Sequence, residues 1–163
     1  SLSPETQVVM SSTSIDVRAW DPYGDNGSEN DAQAPLAIAD GSRDTAWSTE
    51  CYSDRYLGAK PGVGLVISLP GLSNGRLEFE TLNAPFQIEV YRTDAVEPPL
   101  SLESWTQIGS MSYGVDPGVV AVPVNEASTH LAVWLKELGP DDACSSANPY
   151  RGRIGELQWL MNS

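Results

Sequence analysis

Apolar residues along this chain alternate with polar ones over short runs, and helical periodicity is almost absent. Alternation of this kind places every second side chain on one face of a β-strand. The alternating sets begin at Ile15, Leu77, Phe86, Leu131 and Leu157, and clusters of Gly, Pro, Asn and Asp separate them. Such clusters favour turns. Roughly eight short strands with turns at this spacing predict an all-β protein, an antiparallel β-sandwich.

Four segments depart from simple alternation. Residues 63–69 are almost uniformly apolar, which predicts a central strand covered on both sides. Asn74 and Gly75 form a dipeptide that is typical of a two-residue hairpin. Residues 35–38 suit one helical turn at most, and residues 1–12 are rich in Ser and Thr. We therefore expect an N-terminal tail or first edge segment over residues 1–12 and one domain over residues 13–163.

Composition narrows the classes of partner. The chain has 163 residues, with 22 Asp and Glu against 9 Lys and Arg, and its formal net charge is -13. This charge repels phosphates and anionic lipid surfaces, so it excludes a nucleic-acid binder and a polybasic membrane-surface protein. The hydrophobic share of 40% and the five Trp residues indicate a folded core. We expect Trp47, Trp134 and Trp159 in that core, and Trp105 at the start of a strand.

The two cysteines, Cys51 and Cys144, are too far apart in the sequence for a CxxC metal or redox motif. They are either two buried thiols or one disulfide. Both lie in polar, loop-like surroundings, where a free thiol would be exposed and easily oxidised. The surroundings therefore favour a disulfide and, with it, an oxidising compartment.

Catalytic motifs are scarce. The only histidine, His130, precedes an apolar strand, and we expect it at the surface. The chain has no Gly-x-Ser-x-Gly elbow and no phosphate-binding loop of the Gly-x-x-x-x-Gly-Lys type. Most carboxylates lie in polar turns, where solvent keeps them ionised. These observations predict that the protein is not an enzyme.

The most specific motif lies within residues 34–49, where Asp40, Gly41, Thr45 and Trp47 follow the spacing D-G-x-x-x-T-x-W. This motif resembles the signature of discoidin-like domains. These are also called F5/8 type C or galactose-binding-like domains, and they include family 32 carbohydrate-binding modules. Weaker likenesses follow in the family's order at residues 63–69, 86–94, 131–135 and 154–157. The resemblance implies a discoidin-like jelly roll.

A narrower resemblance concerns residues 21–25, 60–65 and 150–156. They are similar to segments of the extracellular domains of actinobacterial receptor Ser/Thr kinases and MviN-type lipid II flippases. This implies a non-catalytic extracytoplasmic module of a larger, membrane-anchored protein that binds a cell-envelope glycan, peptidoglycan or a precursor. The alternative is a protein-interaction or structural ectodomain without a carbohydrate ligand.

The resemblance also implies a structural Ca²⁺ ion. By position, its ligands would be the side chains of Asp40, Thr45 and Glu156 and the carbonyls of Ala37, Ser42 and Thr45. Oxygen-only sets of this kind suit Ca²⁺. The alternative is that Asp40 caps an Asx turn and that Glu156 faces solvent.

A sugar-binding face needs aromatic platforms and planar polar groups, and several loop residues supply them. In the resembling family, ligands bind at one end of the jelly roll, where such loops converge. The candidate ligand residues are Tyr23, Tyr52, Asp54, Arg55, Tyr56, Arg92, Tyr113 and Arg151. The alternative is that the aromatic residues only plug the ends of the sandwich.

Overall fold

The computed structural model describes residues 10–24 and 29–162, with the backbone alone at residues 10–12. Residues 1–9 of the expected N-terminal segment lie outside the described residues. The strands are β1 (Met10–Thr13), β2 (Asp16–Trp20), β3 (Ala46–Ser48), β4 (Val63–Thr81), β5 (Phe86–Thr93), β6 (Thr106–Gln107), β7 (Ser112–Gly114), β8 (Gly118–Glu137), β9 (Gly139–Pro140), β10 (Tyr150–Arg151) and β11 (Arg153–Asn162). Nearly all pair antiparallel, which confirms the predicted all-β fold.

Two strands, β4 and β8, are far longer than the sequence pattern predicts, because each runs through both layers of the sandwich. The first part of β4 pairs with β2, its second part pairs with β11, and β8 accompanies it along both. The register of β4 and β8 shifts between Ser68 and Ser73 and again before Gly75. Such bulges bend a strand pair. The sheet therefore folds over on itself at this point.

The predicted hairpin at Asn74 and Gly75 is wrong, because both residues lie inside β4. Gly75 pairs with Val124 of β8 and with Met161 of β11, so strands on both sides hold it extended. A β-carbon at Gly75 would lie 2.1 Å from the carbonyl oxygen of Leu160. Glycine is needed here for the close approach of β11, which explains its presence without a turn.

The main core lies between the two layers. Alternate residues of β2, β4, β5, β8 and β11 face it, and Trp47 and Trp159 are fully buried there. Residues 63–69 form the expected central strand: Leu65 and Ile67 face the main core, while Val66 faces a second cluster. The predicted burial of these tryptophans and the double covering of this strand are confirmed.

The second cluster covers the outer face of the β2–β4–β8–β5 layer and contains Trp20, Trp105 and Trp134. The ring centroid of Trp20 lies 5.1 Å from that of Trp134 and 5.4 Å from that of Trp105. The indole N–H of Trp105 donates to the carbonyl of Pro99 at 3.1 Å. The tryptophans therefore hold the loop after β5 against the sheet.

Two smaller expectations need correction. The helical segment is a 3₁₀ helix over Asp31–Ala37, longer than one turn; Asp31 at its start binds Arg18 and the Ala19 N–H of β2. A second 3₁₀ segment is Leu102–Ser104.

His130 is buried, not at the surface, because β8 lies between β4 and β5 at this position. None of the helices in the described part of the chain has the length and apolar character that crossing a membrane requires.

Candidate functional site

One end of the sandwich is covered by the loop between β3 and β4, and a disulfide ties this loop to the segment before β10. The Cα atoms of Cys51 and Cys144 are 5.9 Å apart and their sulfurs are bonded, which confirms the expected disulfide. Beside it, Tyr52 and Tyr150 exchange two backbone hydrogen bonds of 2.7 and 3.0 Å. The disulfide and these two backbone hydrogen bonds therefore both hold the loop in place.

The exposed part of this loop combines aromatic and charged groups. Tyr56 is 52% exposed. The guanidinium carbon of Arg55 lies 5.2 Å from the ring centroid of Tyr150, and one of its nitrogens lies 3.6 Å from a carboxylate oxygen of Glu137. The pKa of Arg55 is raised, mainly by its contact with the Tyr150 hydroxyl. Asp54 accepts the backbone N–H of Tyr56 at 2.8 Å, which fixes the turn between them.

Tyr52 differs from its neighbours because its polar atom is used inside the protein. Its hydroxyl donates to Glu29, and the ammonium of Lys60 lies 5.1 Å from its ring centroid. Burial, followed by the contact with Glu29, raises the pKa of Tyr52, so the hydroxyl keeps its proton. The structure therefore places Tyr52 beneath the exposed surface of the loop, as a support for it.

Beneath Tyr52 lies a group of charged side chains that the sequence pattern does not reveal. We call Asp21, Glu29, Tyr52 and Lys60 the Lys60 cluster. The Lys60 ammonium donates to Asp21 at 3.1 Å, to Glu29 at 3.2 Å and to the Tyr52 hydroxyl at 2.9 Å. Burial opposes its charge, but the two carboxylates hold the pKa of Lys60 above its ordinary value. Its members come from two loops that are distant in the sequence, so local patterns carry no signal for it.

Two further predicted residues lie on or near the same end. Tyr23 is 46% exposed, and its ring makes an edge contact with Trp134 at a centroid distance of 6.0 Å. Tyr113 is 78% exposed on β7, where it pairs with Gln87. Gln87 in turn donates to Glu137 at 3.1 Å. Tyr113 is therefore linked through Gln87 to the Arg55–Glu137 ion pair, whereas Tyr23 packs on the second cluster.

The two remaining predicted arginines have their guanidinium groups engaged in the protein. Arg151 lies 2.6 Å from Asp141, whose pKa is about 2. Burial would raise that pKa, but hydrogen bonds from Asn83 and Arg151 lower it. Arg92 binds Ser128 and Glu126 at 2.8 and 2.9 Å. It lies five residues along β5 from Gln87, roughly 16 Å at the usual rise of a strand, so the structure does not bring it to this end.

The candidate cation site lies where the turn after the first 3₁₀ helix meets β11. The register of β11 shifts between Gly155 and Gln158, and Glu156 has a φ of 48° within this bulge. The bulge directs the Glu156 carboxylate to the backbone N–H of Asp40, at 3.4 Å. The Asp40 carboxylate accepts the Ser42 N–H at 2.9 Å. The structure thus brings together Asp40 and Glu156, which lie far apart in the sequence and which the family resemblance assigned to one cation site.

The charges around this turn suit a hard cation. Hydrogen bonds from the Ser42 N–H and from the Thr45 hydroxyl hold the pKa of Asp40 below its ordinary value. Arg43 pairs with Glu80 at 2.9 Å, and Glu80 lies opposite Gly155 in the sheet. Within the described ranges, no group of three His, Cys, Asp or Glu side chains converges. A cation here would therefore need hydroxyl and carbonyl oxygens beside the two carboxylates, and the turn contains such oxygens.

No family model and no curated protein matches the chain, but solved structures do. One is CpGH89CBM32-6 produced by Clostridium perfringens, with a TM-score of 0.54 and 12% identity over 91% of this chain and 94% of that one. Another is the F5/8 type C domain of a Bacteroides fragilis protein, with a TM-score of 0.53 and 16% identity over 94% and 97%. A third is chitosan-binding module 1 of a chitosanase/glucanase from Paenibacillus sp. IK-5, with a TM-score of 0.54 and 17% identity over 88% and 92%.

These matches span nearly the whole of this chain and of each partner in the alignment. They establish that the chain has the discoidin-like jelly-roll β-sandwich fold, as the sequence motif implied. At these identities the likeness concerns the fold, because one fold hosts many unrelated sites.

Proposed function

We propose that this domain is a non-catalytic carbohydrate-binding module whose ligand contacts the exposed part of the 52–56 loop. The observation that carries the proposal is the half-exposed ring of Tyr56 beside Arg55, whose guanidinium is oriented by Tyr150 and Glu137. An aromatic face packs against the C–H face of a sugar, and a fixed guanidinium donates to its hydroxyls. The matched chitosan-binding module and CBM32 protein support this class of ligand by analogy of fold.

The support beneath this surface favours a preorganised site. Tyr52 is tied to Glu29, and the disulfide at Cys51 fixes the start of the loop. A loop that is rigid before binding loses little conformational entropy when the ligand arrives. We therefore assign ligand contact to Asp54, Arg55 and Tyr56, with Tyr23 and Tyr113 as flanking aromatic residues, and a supporting role to Tyr52.

The test is a binding titration with chitosan and peptidoglycan oligosaccharides and sedimentation with purified sacculi. Tyr56→Ala should weaken binding to the bound glycan at least tenfold, about 1.4 kcal/mol. The matched control is Leu72→Ala, which removes another exposed side chain from the bend of β4. Both variants should keep the circular dichroism spectrum and melting temperature of the parent. Equal affinity of the parent and Tyr56→Ala for the glycan would contradict the assigned surface.

We further propose that a Ca²⁺ ion stabilises the turn at Asp40. Asp40, Thr45 and Glu156 would supply side-chain oxygens, and Ala37, Ser42 and Thr45 would supply carbonyls. The ion would neutralise two carboxylates that lie side by side, which explains why the bulge of β11 holds Glu156 at this position. Such an ion would act on stability and not on chemistry.

The calcium proposal is tested by thermal unfolding. Adding Ca²⁺ after EDTA treatment should raise the melting temperature of the parent, since a ligand of the folded state stabilises it by mass action. Glu156→Gln should remove most of this increase. Glu126→Gln is the matched control, because Glu126 is exposed near the opposite end of the sandwich. An unchanged melting temperature of the parent over a Ca²⁺ titration would contradict the proposal.

We propose that the domain works outside the cytoplasm, as part of a larger membrane-anchored envelope protein that binds peptidoglycan or its precursors. The disulfide supports an oxidising compartment. The likeness of residues 21–25, 60–65 and 150–156 to ectodomains of actinobacterial receptor kinases and lipid II flippases supports the envelope. Protease accessibility of the domain in intact spheroplasts would test the location, and an inaccessible domain would contradict it.

A protein-binding ectodomain is the alternative, and one surface favours it. Val96 and Leu100 are 88% and 87% exposed in the loop after β5. This loop and Trp20 line a groove of about 220 Å³. Large exposed apolar side chains at a groove are typical of interaction sites. The test is chemical cross-linking of the domain to proteins of the envelope. If no glycan binds in the titration, and if the parent forms such cross-links and Leu100→Ser loses them, this alternative is favoured over the carbohydrate ligand.

A further inference from the structure

The Lys60 cluster has a feature that an ordinary ion pair lacks. Two carboxylates share one ammonium, and the side chains of both Asp21 and Glu29 are completely buried. The second oxygen of Asp21, Oδ1, is also buried and has no hydrogen-bond partner among the described residues. With one positive and two negative groups, the cluster carries a net negative charge away from solvent. Such an arrangement is costly unless the groups are neutralised or bonded.

The backbone around Asp21 is shaped to hold its carboxylate against Lys60. A β-carbon on Gly24 would lie 1.8 Å from Asp21 Oδ2, so only glycine leaves room for the carboxylate at this place. The Gly24 N–H donates to the Asp21 carbonyl at 3.2 Å and closes the turn. The result is that Oδ2 lies 3.1 Å from the Lys60 nitrogen. Cγ, the atom that an amine would attack, is bonded to this Oδ2, and reactants held in place in this way gain a large part of their rate from proximity.

We propose that Asp21 and Lys60 condense to an intramolecular isopeptide bond. The Lys60 ammonium first gives a proton to Glu29, which lies 3.2 Å away. The free amine of Lys60 then attacks Cγ of Asp21 and forms the C–N bond. One Asp21 oxygen leaves as water with the proton returned from Glu29 and a second proton from the lysine nitrogen. The sum is an ammonium plus a carboxylate giving an amide plus one water, with no oxidant or other reactant.

The neighbours of the pair suit this step. Glu29 contacts the nucleophile, which is the geometry that a general acid–base requires. Tyr52 donates its hydroxyl proton to Glu29 and accepts from Lys60, so it orients both. The two carboxylates keep Lys60 protonated before the reaction, so its proton transfer to Glu29 must come first. Burial then favours the product, since the amide carries no charge. The reaction would leave Glu29 as the only charged acid of the cluster.

The bond would fasten the same end of the sandwich as the disulfide. Asp21 directly follows β2, and Lys60 precedes β4 by three residues. These two strands are neighbours in the sheet, and the disulfide acts on the other side of the same loop. The 52–56 loop would then lie between two covalent links.

Intact-mass spectrometry of the purified, denatured chain tests the proposal. The expected mass is that of the sequence with its disulfide formed, less one water. A peptide digest should contain a branched species that joins the Asp21 peptide to the Lys60 peptide. If the parent chain has the mass of the sequence with its disulfide formed and no loss of water, the proposal is overturned, whatever the masses of the variants.

Two variants and one control identify the participants. Lys60→Met removes the nucleophile and Glu29→Gln removes the proton carrier, so both chains should retain the water. Lys136→Met is the matched control, because Lys136 is the other lysine of the chain and pairs with Glu89 at the surface. It should still lose the water. Loss of water from Lys60→Met, or its retention in Lys136→Met, would overturn the assignment of Lys60.

Discussion

Removing the disulfide gives the sharpest measurable effect on stability. The perturbation is the double variant Cys51→Ser with Cys144→Ser, which avoids leaving one reactive thiol. The two residues are separated by 93 positions. For a loop of this length, the chain-entropy model gives a loss of about 4.6 kcal/mol in the free energy of unfolding at 25 °C. Both cysteines are partly exposed, so the serines add little loss of packing.

The same figure converts to a change in melting temperature. A domain of 163 residues has an unfolding entropy of about 0.34 kcal/mol/K at roughly 2.1 cal/mol/K per residue. The double variant should therefore melt about 13 °C below the parent. The proposed amide between Asp21 and Lys60 leaves this value almost unchanged, because it does not shorten the loop that the disulfide closes.

The assay is guanidinium unfolding followed by tryptophan fluorescence, since the tryptophans are buried in the two apolar clusters. The parent is measured with and without reductant, and the double variant likewise. Reductant should bring the parent to the stability of the double variant and should leave the variant unchanged. A difference below about 1 kcal/mol between the oxidised parent and the double variant would refute the entropic reasoning.

Three further changes test the packing and the charges. Trp47→Phe leaves a cavity and loses the buried indole hydrogen bond, so the free energy of unfolding should fall by about 2–3 kcal/mol in denaturant titrations; no change would contradict its core role. Gly64→Ala places a β-carbon 1.7 Å from the Val133 carbonyl and should cost about 3 kcal/mol. Gly118→Ala, which meets nothing within 4 Å, should stay within about 0.5 kcal/mol; equal effects of the two alanines would refute the steric argument. Asp141→Asn should cost about 1–2 kcal/mol at pH 7. Because the folded pKa of Asp141 is lowered to about 2, its stabilisation is present above the unfolded pKa and is lost as the pH falls through 2; a pH-independent difference would contradict this.

Local patterns predicted the strands of this protein well where apolar and polar residues simply alternate along the strand. The alternation at Leu131 and Leu157 led directly to buried faces of β8 and β11. It failed at Asn74 and Gly75, where the residues of a tight turn lie in a bent, fully paired strand. Turn propensity acts over a few residues, whereas pairing with strands on both sides adds many backbone hydrogen bonds and overrides it.

The candidate sites divide in the same way. The motif around Asp40 and the strand that carries Glu156 were recognisable, and the structure brings their carboxylates together. The partner of Arg55, by contrast, is Glu137, about eighty positions away on another strand. No period or motif links such residues, because only the folded sheet makes them neighbours.

The sequence by itself determined the all-β architecture, the jelly-roll resemblance, the burial of the core tryptophans and the expectation of a disulfide. Each of these depends on residue type and spacing, which are local properties. The tertiary structure alone decided that Tyr52 is a support, that Arg92 lies away from the 52–56 loop, and that Asp21, Glu29 and Lys60 form one buried group. The reason is physical: burial and contact of charged side chains depend on which loops converge, and convergence is set by the pairing of distant strands.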